Sequence, residues 1–288
     1  MPYKYNSFIN NSDISWACEM YNIHSFNRPF SIHKYLINSQ KSGKIKSYHT
    51  VISKWIKGKI EDYYFEIDKK YHLISQEETY KDTTDEVKFH EIFYLEDHKL
   101  KSHIITAAPL LKVFTSTGIY LGNAITSFSS LNYYSKQKYN EKDSIIYLGN
   151  TYSILNFDSL ESGLGLKKNY GMTLPLALWY DLSKGFNSVI DLKSNSTISP
   201  QNIMDFSAFD STEHTRVIDS MPDFLSYKVP GPPAFSYFSD IGISQEWYYN
   251  KTKDVFFANI SKVYLYIEYY DEKSFLYLNE KRFEINFK

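Results

Sequence analysis

What this chain has little of narrows its chemistry. Its 288 residues include one cysteine, so no internal disulfide and no cysteine-built metal cage can form. Cys18 reads as a small buried hydrophobe. Glycine is scarce, at 11 residues. The stretch "ESGLGLKKN" around Gly163 and Gly165 has neither the third glycine of a dinucleotide loop nor the Gly-Lys-Ser/Thr ending of a P-loop. Neither sign of charge is in excess, with 32 basic residues against 33 acidic ones. That balance argues against nucleic acid as a partner, since phosphate binding draws on a basic surplus. No stretch of about 18 apolar residues occurs, so no membrane-spanning helix is encoded. The N-terminus, "MPYKYNSFINNSDISW", lacks a basic segment followed by an apolar one. The chain therefore reads as cytosolic, or as a mature form whose export signal has been removed.

The residue types that do chemistry are dispersed. Eight histidines are spread along the chain. His98 and His103 flank a predicted hairpin turn, but no His-x-x-x-His helix or Cys-x-x-Cys partner accompanies them. His90 with Glu91, and Asp97 with His98, are neighbours that a strand sends to opposite faces. Glu61–Asp62 and Glu77–Glu78 read as solvated or helix-start acids. These patterns predict no catalytic, cofactor-binding or metal-ligating residues.

Large apolar side chains, by contrast, are abundant. Hydrophobic residues make up 43% of the chain and aromatics 18%, with 27 Tyr and 20 Phe. Such a composition forms a core and favours pleated sheets, whose half-buried surfaces suit big rings. Read for internal repeats, the chain runs through one order of elements twice. "YHTVISKWIKGKIEDYYFEI" predicts a helix capped by Thr50, with Val51, Ile52, Trp55 and Ile56 on one stripe and Gly58 ending it. "MTLPLALWYDLSKGFNSVIDL" predicts another, capped by Thr173, with Pro175 in the first turn, Leu178, Trp179 and Leu182 as its stripe, and Gly185 at its end. A short helix start follows each, at Ser75 with Glu78 and at Ser199-Pro200.

Each copy then reaches a hairpin. The first is "FHEIFYLEDHKLKSHIITAAPLLKVF" and the second "FSDIGISQEWYYNKTKDVFFANISKVYLY". In the second, Ile241, Ile243 and Trp247 share a face. The return strand changes parity, which predicts a bulge near Asn259–Lys262. The fold expected is α+β: two related units, each of one or two helices packed on an antiparallel sheet. The boundaries expected are an N-terminal arm over 1–30, a first unit over 31–140 and a second over 141–288. The second carries a proline-rich insertion at 211–237, read as an exposed, stiff loop.

Aromatics outside the helical stripes are candidate contact residues. Trp247, Tyr248 and Tyr249 sit beside the second hairpin turn, and Trp16, Arg28 and Pro29 lie in the arm. Pro230, Pro232, Pro233 and Phe235 belong to the proline-rich insertion. "VYLYIEYY" is a candidate edge strand able to add to a neighbour's sheet. Such aromatics also open an alternative reading, an aromatic-rich module that binds carbohydrate or peptide.

"ISQEWYYNKTKDVFFANI" resembles the strand–turn–strand signature of the GldN/PorN family of type IX secretion and gliding-motility proteins. That signature holds a Glu-Trp pair, a polar turn and a strand with an Ala-Pro-like ending, which the first hairpin supplies as "IITAAPLL" with Pro109. "DISWACEMYNIHSFNRPF" looks like the family's opening Trp, Tyr and Asn-x-Pro element. "VISKWIKGKIEDYYF" is similar to its helix, Gly-Lys and Tyr segment. The first hairpin has Glu96-Asp97 where Glu-Trp is expected. The resemblance is best over 13–120. It implies a non-enzymatic periplasmic scaffold at the outer membrane, without cofactor, in a multi-subunit ring. Its implied partners are an outer-membrane lipoprotein and an inner-membrane motor component.

Overall fold

The computed structural model describes residues 11, 13–26, 32–42, 47–49, 54–55, 85–114, 120–125, 127–130, 144–156, 173–207, 212–217, 224–229, 233–271 and 274–287. Over these residues the protein is mostly antiparallel β-sheet with few helices. One sheet contains β1 (Ile14–Phe26), β2 (Ser47–His49), β3 (Lys54–Trp55), β4 (Asp85–Glu96), β5 (Lys99–Phe114), β6 (Tyr120–Ile125) and β7 (Ser127–Ser130). Its order is β1-β4-β5-β7-β2-β3, with β6 also pairing β5. The other contains β8 (Ile145–Asn156), β9 (Ser188–Asp191), β10 (Ser196–Thr197), β13 (Phe238–Asn250), β14 (Val255–Asp271) and β15 (Leu276–Asn286). Its order is β10-β9-β15-β14-β13-β8. Two helices, α1 (Ile32–Lys41) and α2 (Leu174–Ser183), pack beside the sheets. No helix among the described residues is long and apolar enough to cross a membrane.

The two sheets stack with β1 beside β8 and β5 beside β14. Alternation decides what meets between them. β4 turns Val87, Phe89, Glu91, Phe93 and Leu95 inward, and β13 turns in Ile241, Ile243, Gln245, Trp247 and Tyr249, all buried. Two apolar clusters result, each drawing on both sheets. In one, Phe93, Leu95 and Leu100 near the β4–β5 turn pack with Ile241, Ile243, Val263 and Leu265 at the base of the other hairpin. In the second, Trp247, Tyr249 and Phe256 near the β13–β14 turn pack with Val87, Phe89 and Ala107. The tip of each hairpin thus lies over the base of the other.

The pairing of the two hairpins matches rung for rung. From the turn, β4 and β5 pair over six rungs, Glu96↔Lys99 to Glu91↔Ile104, before Ile105 is left out as a bulge. β13 and β14 pair over six rungs, Asn250↔Val255 to Gln245↔Ile260, before Ser261 is left out. That bulge lies inside the predicted window. The turns differ. Asp97 and His98 both take positive φ, 52° and 61°, as a tight two-residue turn matching strand twist requires. His98 stacks on Phe186 at 3.4 Å, faces Asp181 Oδ2 at 3.2 Å, and its carbonyl accepts from Asn187 Nδ2 at 2.6 Å. The first hairpin's turn is therefore held by α2 and the loop after it.

Several expectations hold. α2 starts after Thr173, carries Pro175 in its first turn, buries Leu178, Trp179 and Leu182, and ends before Gly185, whose φ is +77°. Thr173 makes no side-chain cap bond. Trp179 donates to the Ile203 carbonyl at 3.0 Å. Ser199-Pro200 opens a short 3-10 turn, Pro200–Asn202. Other expectations are corrected. Lys54 and Trp55 lie in β3, with Trp55 paired with Tyr48, not on a helical stripe; Thr50, Val51, Ile52, Ile56 and Gly58, and Ser75 with Glu78, fall outside the described residues. Residues 14–26 are no arm but a thirteen-residue strand paired along β4. The proline-rich insertion contains a hairpin, β11 (Thr212–Val217) with β12 (Phe224–Val229), flanked by its prolines. Proline cannot donate to a ladder, so it borders these strands and does not interrupt them. "VYLYIEYY" lies in β14, where 263–267 have β13 and β15 on their two sides and 268–270 pair β15 alone among the described residues.

Gly242 shows how tightly the second sheet's outer face is fitted. A Cβ there would lie 2.1 Å from the Tyr152 hydroxyl, which bonds the Tyr266 hydroxyl at 2.6 Å across the glycine. Gly242→Ala is expected to lower unfolding stability by about 1–3 kcal/mol. Adding Tyr152→Ala should remove most of that additional cost. Urea unfolding of the two variants against Tyr152→Ala alone measures it.

Candidate functional site

Two constellations stand out, one sealed and one open. The sealed one sits between the apolar clusters, where Glu91 and Gln245 point at each other from facing sheets. Gln245 Nε2 donates to Glu91 Oε2 at 2.8 Å and lies 3.2 Å from Ser102 Oγ. Glu91 Oε1 faces His24 Nε2 at 3.0 Å and accepts from Asn22 Nδ2 at 3.4 Å. A carboxylate oxygen can only accept, so the imidazole Nε2–H is the donor. The other ring nitrogen faces Ser153 Oγ at 3.4 Å. Trp247 covers the group, its centroid 5.0 Å from that of His24 and its Nε1 donating to Thr151 Oγ1 at 2.8 Å. The His24 and Glu91 side chains are 0% exposed. No substrate reaches them in this arrangement, and their geometry is that of a clamp between sheets.

The open constellation is the outer face of the second sheet. There β8 presents Ile145, Tyr147, Tyr152 and Ile154, all exposed. Tyr248, Phe257, Tyr264 and Tyr266 continue the face on β13 and β14 by register and alternation. Tyr147 lies 5.5 Å from Tyr248, which stacks on Phe257 at 5.1 Å. Lys281 Nζ sits 4.3 Å from the Tyr264 ring centroid and 5.2 Å from that of Tyr152. The face mixes rings with Lys262–Glu284 at 3.4 Å and with Glu246, which accepts from the Tyr248 hydroxyl at 2.7 Å. That bond to a carboxylate, with some burial, pushes the Tyr248 phenol up to about 12. Such a surface can hold a flat or extended ligand by ring contact and directional polar bonds.

No protein-family model, curated protein or solved structure matches this chain.

The predicted contact residues are placed as follows. Trp16 and Trp247, expected at interfaces, are in the core at 1% and 0% exposure. Each points inward because its strand alternates in phase with buried neighbours. Tyr249 is buried as well, while Tyr248 is half-buried on the open face. Pro233 bridges to Ser207, and Phe235 packs against the first apolar cluster. Arg28, Pro29, Pro230 and Pro232 fall outside the described residues. Cys18 is buried in the first cluster. Among the described residues no three His, Cys, Asp or Glu side chains converge as a metal cage requires.

Sequence reasoning missed Glu91, His24 and Gln245. A usable signal was present: Glu91 falls in phase with Val87, Phe89, Phe93 and Leu95, and an acid on an apolar face implies a buried partner. Removing it leaves buried donors unanswered. Glu91→Ala is expected to cost about 3–5 kcal/mol. Gln245→Glu replaces the amide donor with a second acid facing Glu91 and is expected to destabilise as well, which urea unfolding beside the original protein would read.

Asp254, at φ +55° at the end of the second hairpin's turn, joins α1 to that turn. Its Oδ1 accepts from Tyr35 at 2.7 Å and from Tyr249 at 2.5 Å. Burial first, then the bond to Asp254, raises the Tyr249 phenol to about 12, and burial with the same carboxylate raises Tyr35 further. A folded value above the ordinary 10.0 means stability held below pH 10 and lost as pH climbs through the folded value. The protein should therefore destabilise from about pH 10 upward. In Asp254→Asn the Tyr249 phenol should titrate closer to its ordinary value, which tyrosinate absorbance would follow.

Proposed function

We propose that this chain is a non-enzymatic assembly subunit built from a duplicated strand–hairpin unit. It works through protein–protein interfaces in a type IX secretion and gliding-motility machinery, as its GldN/PorN-like motifs imply. The reading places it in the periplasm against an outer-membrane lipoprotein, with an inner-membrane motor component as its second partner.

The observation that carries the reading is the shared register of the two hairpins, with six rungs and then a one-residue bulge in both. The family-like signature lies in these same two segments. Counting from the bulge, Gln245 takes the place of Glu91 and Trp247 that of Phe93. The Glu246-Trp247 pair thus aligns with Ile92-Phe93 and not with Glu96-Asp97. The equivalent residues Glu91 and Gln245 then meet each other, as they would on an approximate two-fold axis. A duplicated unit that packs on itself through a sealed polar clamp supports a scaffold role. Affinity-tagged protein, recovered from envelope extracts of the organism that encodes it, should bring down an outer-membrane lipoprotein and a motor component. Deleting its gene should block secretion. Recovery of neither partner would sink the reading.

A second reading, a carbohydrate-binding module, draws on the open Tyr147–Tyr152–Tyr248 face. It would be favoured by glycan binding that Tyr147→Ala and Tyr152→Ala abolish while secretion continues.

A further inference from the structure

The β14–β15 hairpin outruns its neighbours. β13 stops pairing with β14 at Ile267, and β9 pairs β15 only over 283–286. Among the described residues, the rungs from Glu268↔Asn279 to Asp271↔Leu276 therefore form a two-stranded ribbon. Such ribbons are marginal by themselves, and a covalent link between their strands is one way to fix them. A disulfide cannot supply that link, because the chain's one cysteine, Cys18, is buried in the core.

The ribbon carries another pair of groups that can be joined. Tyr270 and Tyr277 are directly opposite each other in the ladder. Their ring centroids are 5.3 Å apart, with the planes at 59°. They are 48% and 72% exposed, so an oxidant in solution reaches both. The other close tyrosine pairs lack one of these properties. Tyr147 and Tyr248 lie 5.5 Å apart, but their hydroxyls are tied to Asn150 and Glu246, and Tyr248 is half-buried. Tyr35 and Tyr249, also 5.5 Å apart, share the Asp254 carboxylate, and Tyr249 is buried. Tyr152 and Tyr266 meet through their hydroxyl oxygens, at 2.6 Å.

The distinction matters because oxidised tyrosines couple through carbon. In a phenoxyl radical the unpaired electron lies partly on the ring carbons beside the oxygen, and two such carbons join. The reaction needs rings that are already side by side, and an opposed ladder pair supplies that proximity.

We propose that Tyr270 and Tyr277 are an oxidative cross-linking site, joined as a dityrosine by a peroxidase-class one-electron oxidant acting with hydrogen peroxide. Each phenol gives up one electron and one proton, and the two radicals couple through their ortho carbons. The hydrogens displaced from those carbons move as protons to the phenolic oxygens, which restores both rings. Hydrogen peroxide takes the two electrons and two protons and leaves as two waters. The product is a staple across the ribbon within one chain. It requires no partner, so it stands independently of the assembly reading.

The test treats the purified full chain with a peroxidase and a limiting amount of hydrogen peroxide. Digestion and mass spectrometry should find the peptides bearing Tyr270 and Tyr277 joined, lighter by two hydrogens than their sum. The linked chains should still run as monomers on a denaturing gel, and dityrosine fluorescence should rise with the link. Tyr277→Phe keeps the ring and deletes the phenol at an exposed position, so it should fold as the original does and lose most of that fluorescence. Tyr270→Phe should behave in the same way. Tyr180→Phe, which removes an exposed phenol on α2, should leave the signal unchanged. Oxidation in concentrated urea, which removes the ladder, should scatter the links over other tyrosines. Three results would overturn the proposal: no dityrosine, links in the folded chain that map to other pairs or join separate chains, or a 270–277 link that forms as readily in urea.

Discussion

The fold turns on the meeting of Glu91 and Gln245. A carboxylate with no exposure is tolerable only when its lone pairs are answered, and here three side chains from two strands, one in each sheet, answer them. His24 and Asn22 come from β1, next to β4 in the same sheet, and Gln245 reaches across from the other sheet. The clamp therefore fixes the register of β1 on β4 and the position of one sheet over the other together. A one-residue slip of β1 would turn His24 and Asn22 away from the carboxylate. Apolar packing above and below the clamp supplies most of the driving force. The polar group makes one arrangement preferable to the others the same apolar surfaces would allow.

Much of this was legible in the sequence, and what was not had physical causes. Period-two alternation located the second hairpin, its inward face and its bulge, because those depend on neighbours in the chain. The capping and stop residues around Leu174–Ser183 located α2 for the same reason. Trp16 and Trp247 were misplaced at the surface because nearness to a turn or terminus was allowed to outweigh alternation. Trp247 shares parity with Ile241 and Ile243, and parity decides. The strand over Ile14–Phe26 escaped notice because its partner lies some seventy residues away, which local pattern cannot reveal. The proline-rich insertion misled in another way: prolines mark where strands end, and two short strands fit between them.

The candidate binding face illustrates the same divide. Tyr147, Tyr152 and Ile154 are spread along one strand, β8. Only pairing with β13 gathers them with Tyr248, Tyr264 and Tyr266 on one surface. Lys281 arrives from the last strand to lie over two of those rings. A surface assembled from four strands leaves no compact signature in the order of residues.

The clamp also bears on how the chain folds. Each hairpin closes locally, but Glu91 and Gln245 are 154 residues apart, among the most distant contacts in the molecule. Closing so long a loop is slow, and its entropy is spent before the contact repays it. Until both sheets exist, the acid on β4 prefers water, so the first hairpin alone gains little by collapsing onto stray apolar surface. The residue that secures the finished core thus rewards closure only when the second hairpin is in place.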